Sequence, residues 1–162
     1  MAFTFALATV DDLAAAKAIA RSAAASEYSH WDEEYPACML GEDIENKRLY
    51  LLREEGRPIA MIAMLSELEG PTSSFPWPEP SPAPCMLARL GILKEAQGRG
   101  LATTVMELAA ETARKQGYRT ARLLATEDNP LTNHIYKKLG YVARGKAVVF
   151  DLEEFVGYEL AL

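Results

Sequence analysis

The sequence predicts a mixed α/β fold, formed by residues 1–162 as a single domain. Two observations support this: strand-like apolar runs are interspersed with amphipathic helical segments, and a strand–helix–strand unit lies in the middle of the chain. The length of 162 residues is that of one domain. An apolar content of 49% with 25% charged residues is ordinary for a globular chain.

The composition excludes several classes of function. A net charge of −6 argues against a basic nucleic-acid-binding surface and against a polybasic face for anionic lipid. No apolar run reaches the roughly 18 residues of a membrane span, and the N-terminus lacks the pattern of a signal peptide. We therefore expect a cytoplasmic protein without a membrane or nucleic-acid partner. The two cysteines and two histidines are not spaced as metal ligands, so no metal is expected: Cys38, Cys85, His30 and His134.

The predicted order begins with a strand near the N-terminus, which is followed by two helices. A threonine followed three residues later by an acid, Thr9 and Asp12, resembles a capping box. Apolar residues then recur at steps of three and four, which predicts an amphipathic helix ending near Glu27. A second short helix is predicted from Pro36, which suits a first helical turn, to about Asn46.

A β-hairpin and a proline-rich segment come next. Leu49–Arg53 and Pro58–Leu65 flank a glycine-containing turn and are predicted to pair. Residues 70–84 hold six of the nine prolines and can be neither a helix nor a central strand. A disordered spacer is one interpretation. We favour an ordered loop beside a site, since Phe75 and Trp77 are unfavourable in solvent.

The second half of the chain alternates strands and helices. Two helices are each stopped by a glycine, Gly117 and Gly140, and the second begins with Asn129 as N-cap followed by a first-turn proline. The predicted elements are a strand at Cys85–Leu93, a helix from Leu101 to Gly117, a strand at Arg119–Thr126, a helix from Asn129 to Leu139, and strands at Tyr141–Phe150 and Phe155–Leu160.

The segment Ile92–Ala102 is the most informative about function. It runs from a strand end through a turn containing Gly98 and Gly100 into a helix. The free amides and dipole of a helix N-terminus can hold phosphate, and glycines allow a close backbone approach. A P-loop ending is missing, and Thr103 stands where a dinucleotide fingerprint needs glycine or alanine. A packing role remains open for this segment taken alone.

Two motifs together resemble the GNAT superfamily of N-acetyltransferases. Gln97-x-x-Gly100-x-Ala102 is similar to that family's Gln/Arg-x-x-Gly-x-Gly/Ala signature, and Leu90–Ala102 aligns with its strand-four-to-helix-three segment without gaps. Asn129–Tyr141 is similar to the family's Asn-x-x-Ala-x-x-Leu-Tyr-x-x-x-Gly-Phe element, with Ile135 and Tyr141 as mild variants. The spacing of the two motifs and the element order agree over about residues 3–160.

The resemblance implies a fold and a donor. The fold would be a central, mostly antiparallel mixed sheet with helices on both faces, splayed between the fourth and fifth strands. Acetyl-CoA would be the co-substrate, its diphosphate on the turn and its pantetheine arm on the fourth strand and on Asn129. The implied donor-binding residues are Leu90, Gly91, Ile92, Gln97, Gly98, Arg99, Gly100, Leu101, Ala102, Asn129 and Tyr136.

The resemblance also implies a chemistry. Tyr136 stands at the position of the general acid that protonates the departing thiolate, although a core tyrosine on an amphipathic helix is the alternative. The acceptor is a primary amine, on a small molecule or a peptide, and needs a base because alkylamines are mostly protonated at pH 7. The candidates for that base are Glu33, Glu34 and Glu127, of which Glu34 lies in the segment that lines the family's acceptor site.

Three aromatic residues are candidates for the acceptor wall, where a ring attracts an amine by cation–π interaction: Trp31, Tyr35 and Trp77. Packing explains each of them equally well. Two other functions stay open, namely a non-catalytic CoA-binding or regulatory module on the same fold, and an interaction domain that docks a partner through its proline-rich segment. A homodimer is possible.

Overall fold

The computed structural model describes residues 2–25, 29–66, 75–149 and 153–162. It contains four helices and seven strands within those ranges, in the order the sequence predicts. The elements are β1 Phe3–Leu7, α1 Leu13–Ala24, α2 Ala37–Glu45, β2 Leu49–Glu54, β3 Arg57–Ser66, β4 Pro84–Ile92, α3 Leu101–Lys115, β5 Thr120–Thr126, α4 Pro130–Lys138, β6 Val142–Val149 and β7 Glu153–Ala161. The predicted end of the first helix near Glu27, the predicted strand end at Phe150 and part of the proline-rich segment lie outside the described residues.

The strands form one sheet with the hydrogen-bonded order β1-β2-β3-β4-β5-β7-β6. The pairs β1–β2, β2–β3, β5–β7 and β6–β7 are antiparallel. The pair β4–β5 is parallel and joins Pro84–Met86 to Thr120–Arg122. The prediction of a mostly antiparallel mixed sheet is therefore confirmed.

The glycines and caps predicted from the sequence lie where the helices begin and end. The Thr9 amide donates to the Asp12 carboxylate at 2.8 Å, and a single 3-10 turn, Val10–Asp12, leads into α1. The Asn129 side chain accepts from the Thr132 amide at 3.2 Å, which caps α4. Gly117 and Gly140 have φ of +93° and +95°, the left-handed conformation that ends a helix and favours glycine. Pro36 differs slightly, since it directly precedes α2 rather than lying in its first turn.

The chain divides into two compact units. The first comprises residues 1–64 and 89–108, and its core is formed by one face of α1 and α2 with strands β2 and β3: Ala16, Ile19, Ala20, Leu40, Leu49, Leu51, Leu52, Met61 and Ile62 are almost fully buried. The second comprises residues 65–88 and 109–162, and its core includes Cys85, Ala109, Ala113, Ala121, Leu123, Tyr136, Tyr141, Val156 and Tyr158. No helix among the described residues combines the length and apolar character needed to cross a bilayer.

Candidate active site

The glycine turn before α3 faces open space at both of its glycines. Gly98 and Gly100 have φ of +78° and +74°, and a Cβ built on either would meet no atom within 4 Å. The Gln97 side chain donates to the Ile92 carbonyl at 3.2 Å and so ties the turn to the end of β4. The turn therefore leaves its backbone accessible to a ligand.

Backbone amides contribute positive potential at this turn. The first N–H groups of a helix have no carbonyl partner within it, and the helix dipole adds partial positive charge there. Arg99 also lies here, but its guanidinium donates to the Glu54 carboxylate at 3.1 Å. That contact raises the pKa of Arg99 and lowers the pKa of Glu54. The charge of Arg99 is thus partly matched within the protein.

Strand β4, which leads into the turn, departs from regular geometry at Arg89. This residue has φ of +56°, a left-handed conformation that is uncommon for a side chain of this size. Beyond it, Leu90 and Ile92 are half-buried and Gly91 is buried. A Cβ on Gly91 would meet Trp31 at 3.3 Å, so a side chain there would need the indole to shift by a few tenths of an ångström.

A buried ion pair holds Arg89. Its guanidinium donates to both oxygens of Asp43 at 2.7 Å, and the Asp43 side chain is fully buried. Arg48 approaches the same carboxylate at 3.0 Å. The Asp43 and Tyr35 contacts raise the pKa of Arg89 although desolvation opposes them. Sequence reasoning missed this pair; a charged residue inside the apolar run of β4 and another on the buried face of α2 were the available signals.

The segment between α1 and α2 brings two predicted acceptor residues to β4. Trp31 lies against Gly91, and Tyr35 interacts with the Arg89 guanidinium. The Asp32 carboxylate accepts the amides of Glu34 and Tyr35 at 2.8 and 2.7 Å, which shapes this segment and lowers the pKa of Asp32. The side chains of Glu33, Glu34 and Tyr35 are exposed.

Tyr136, the predicted general acid, is in the second unit. It is the buried residue of α4, whose other side chains are exposed or half-buried. Its ring contacts Tyr141 and Tyr158, with centroids at 5.9 and 5.7 Å. Burial raises the pKa of Tyr136 to about 12. The phenol therefore carries its proton throughout the neutral range, as an acid must.

The N-terminus of α4 is fixed by Asn133, whose side chain makes three hydrogen bonds. Its amide donates to the Thr126 carbonyl at 3.0 Å and to the Asn129 carbonyl at 2.6 Å. Its oxygen accepts from the Tyr158 hydroxyl at 2.5 Å. The predicted donor contact Asn129 is half-buried and begins the helix that these bonds hold.

Glu127, one of the three candidate bases, is engaged in a charged cluster at the end of β5. It forms an ion pair with Lys146, and this contact together with a hydrogen bond from Glu154 lowers the pKa of Glu127. The pKa of Glu154 is raised by the same carboxyl–carboxyl contact. A carboxylate with a lowered pKa is a weaker base, so this arrangement favours the other candidates.

Residues 75–83 of the proline-rich segment are anchored to the second unit. Phe75 is 4% exposed, and the rings of Phe75 and Trp77 lie against Gly157 of β7. Arg122 lies under the Trp77 ring, 4.4 Å from its centroid, and donates to Glu159 at 2.7 Å. These contacts hold the two rings against β7 and β5 of the second unit. Trp77, predicted for the acceptor wall, makes its described contacts within this cluster.

These features place an accessible glycine turn at the start of a helix, after an irregular strand, within a mixed α/β fold. The sequence matches the model of the Acetyltransferase (GNAT) family over residues 16–141. The chain belongs to the GNAT family and is an N-acetyltransferase of the type that uses acetyl-CoA. Comparison with curated protein sequences gives no significant match.

Solved structures of GNAT proteins share the fold. A GNAT-family acetyltransferase from Streptococcus agalactiae 2603 is similar with a TM-score of 0.83 and 22% identity, over 99% of this chain and 95% of that one. The PaiA N-acetyltransferase of Thermoplasma acidophilum, solved with coenzyme A, is similar with a TM-score of 0.72 and 17% identity over the full length of both chains. The ribosomal-protein-S18-alanine N-acetyltransferase of Escherichia coli is similar with a TM-score of 0.72 and 17% identity, over 99% of this chain and 94% of that one.

Proposed function

We propose that this enzyme transfers the acetyl group of acetyl-CoA to a primary amine by direct attack, with the donor's diphosphate on the turn of residues 97–102. The observation that carries the donor site is the open space in front of Gly98 and Gly100 at the start of α3. Acetyl-CoA supplies an activated thioester carbonyl. The chain's own part is to hold the anionic end with backbone amides and to present a strand to the amide-bearing arm.

The donor strand would act through its main chain. Leu90 and Ile92 would hydrogen-bond an extended arm, and Trp31 packs beside Gly91 between them. The left-handed backbone at Arg89 is an irregularity at which an amide can turn out of the strand ladder. Such an amide would stabilise negative charge that develops on the carbonyl oxygen.

Tyr136 would be the general acid. When the carbon–sulfur bond breaks, its phenol gives the proton that the departing sulfur needs. Its raised pKa, about 12, keeps the proton on the phenol at neutral pH. Asn129, at the start of the same helix, would contact the pantetheine arm.

Glu34 would accept the proton that the amine loses, directly or through water. It is exposed on the segment that brings Trp31 and Tyr35 to β4, whereas Glu127 already pairs with Lys146. Asp32 and Glu33 beside it would attract a cationic amine. Trp31, Tyr35 and Trp77 would provide aromatic surface for the acceptor, which is a small amine or a peptide amine. Ribosomal protein alanine is the acceptor named for one structural neighbour.

The test is acetyl transfer to a panel of small primary amines and peptides with free N-termini, followed as thiol release and as acetylated product. We expect acetyl-CoA-dependent transfer to at least one class of acceptor. Tyr136→Phe should lower kcat by roughly 10²–10⁴-fold, the usual contribution of a general acid, with little change in acetyl-CoA affinity. Unchanged kcat in this variant would refute the assignment of the acid, and no transfer to any amine would refute the reaction.

A further inference from the structure

The proposed reaction gives no role to Asn133 of α4. Its side chain nevertheless makes three hydrogen bonds to three different elements. Two reach the carbonyls of Thr126, at the end of β5, and of Asn129, the N-cap of α4. The third comes from the Tyr158 hydroxyl on β7, at 2.5 Å. One amide thus connects two strands to the first turn of α4.

Tyr158 connects this amide to the proposed acid. Its side chain is 1% exposed, and its ring lies against the ring of Tyr136 with centroids 5.7 Å apart. Its hydroxyl is directed to Asn133, one turn before Tyr136 on the same helix. The position of α4 and the orientation of the Tyr136 ring therefore depend on the same two side chains.

Tyr141 provides an internal comparison. Its ring also lies against Tyr136, at 5.9 Å and with the same interplanar angle of 59° that Tyr158 shows. Its hydroxyl is buried and has no hydrogen-bond partner within the described part of the chain. The two tyrosines thus pack alike on the proposed acid, but only Tyr158 links it to Asn133.

We propose that Asn133 and Tyr158 are positioning residues, which set the Tyr136 hydroxyl and the Asn129 side chain for acetyl transfer. This inference rests on the proposed function, because it assigns these residues their effect through Tyr136. The three bonds of Asn133 restrict the first turn of α4, and the Tyr158 ring restricts the Tyr136 ring from one side. Loss of either restraint would displace the phenol from the sulfur it must protonate.

The test compares the kcat of Tyr158→Phe with that of Tyr141→Phe in the acetyl-transfer assay. Asn133→Ala and Tyr136→Phe are measured alongside. Each Phe variant removes one buried hydroxyl and keeps the ring. Tyr158→Phe should lower kcat by about 10- to 100-fold, the scale of a small misplacement of a reacting group, with KM for acetyl-CoA nearly unchanged. Tyr141→Phe should keep the kcat of the wild type. The assay is run well below each variant's unfolding midpoint, so that loss of folded enzyme does not contribute.

Asn133→Ala should resemble Tyr158→Phe, and the double variant should lose little more than the more severe single variant, because both changes break one network. If Asn133→Ala does not fold, the comparison of kcat between Tyr158→Phe and Tyr141→Phe tests the proposal by itself. Equal kcat in Tyr158→Phe and Tyr141→Phe, while Tyr136→Phe is inactive, would overturn the positioning role and leave the proposed function standing. Full activity of Tyr136→Phe would overturn the proposed acid and, with it, this inference.

Discussion

Gly157 of β7 is the most sensitive point of the contact that anchors residues 75–83. A Cβ at this position would lie 2.5 and 2.7 Å from two atoms of the Phe75 ring and 2.9 Å from the Trp77 ring. All three distances are shorter than a carbon–carbon contact allows. Gly157→Ala must therefore either push the two rings away or distort β7.

The cost of this substitution can be worked in two ways. If the rings stay and the surroundings strain, overpacking costs about 1–3 kcal/mol. If Phe75 leaves its site, where it is 4% exposed, the lost burial costs roughly 1.5–3 kcal/mol. Both routes predict a loss of about 2 kcal/mol in the free energy of unfolding, which corresponds to a Tm about 4–8 °C lower for a chain of this size.

Urea unfolding of Gly157→Ala measures this loss, and Gly41→Ala in α2 is the matched control. A Cβ on Gly41 would meet no atom within 4 Å, so alanine there should stabilise by up to about 1 kcal/mol through helix propensity. Adding Phe75→Leu should remove much of the penalty of Gly157→Ala. A change of less than about 0.5 kcal/mol in Gly157→Ala, the range of an uneventful surface substitution, would refute this account of the anchor.

Two further predictions concern buried charge and buried phenols. Asp43→Ala should lower the free energy of unfolding by about 3–5 kcal/mol, because it leaves the buried guanidinium of Arg89 without this carboxylate. A loss below about 1 kcal/mol in urea unfolding would contradict the importance of the ion pair. Burial raises the pKa of both Tyr136, to about 12, and Tyr141. The contribution of these two phenols to the free energy of unfolding should thus be fully present below pH 10. It should fall as pH rises toward 12, since the unfolded chain loses these protons first. Tyr136→Phe should weaken this fall in alkaline denaturation scans, and an unchanged slope would contradict it.

Local rules were sufficient for much of the fold. Gly117, Gly140 and Asn129 end or begin helices in the structure as they were expected to, because caps and left-handed glycines depend on neighbouring backbone alone. The glycine turn before α3 was likewise readable from Gly98 and Gly100. These predictions concern residues whose partners lie within a few positions along the chain.

The buried polar links could not be predicted in the same way. Asp43 and Arg89 are 46 positions apart, and Asn133 and Tyr158 are 25 apart. Each pair forms only once the strands and helices are in register, and a charged residue in an apolar run signals burial without naming its partner. Sequence therefore predicted the candidate donor-binding turn, whereas the restraints on β4 and on α4 required the structure.

The most direct test of the central claim is calorimetric titration of acetyl-CoA into wild type, Gly98→Ala and Gly56→Ala. Gly98 and Gly56 have φ of +78° and +80° and open space at the Cβ position, so alanine imposes the same backbone strain at both. We predict that wild type and Gly56→Ala bind acetyl-CoA alike and that Gly98→Ala binds it at least tenfold more weakly. Equal affinity in all three proteins, or no binding by wild type at millimolar acetyl-CoA, would contradict the claim that the turn before α3 holds the donor.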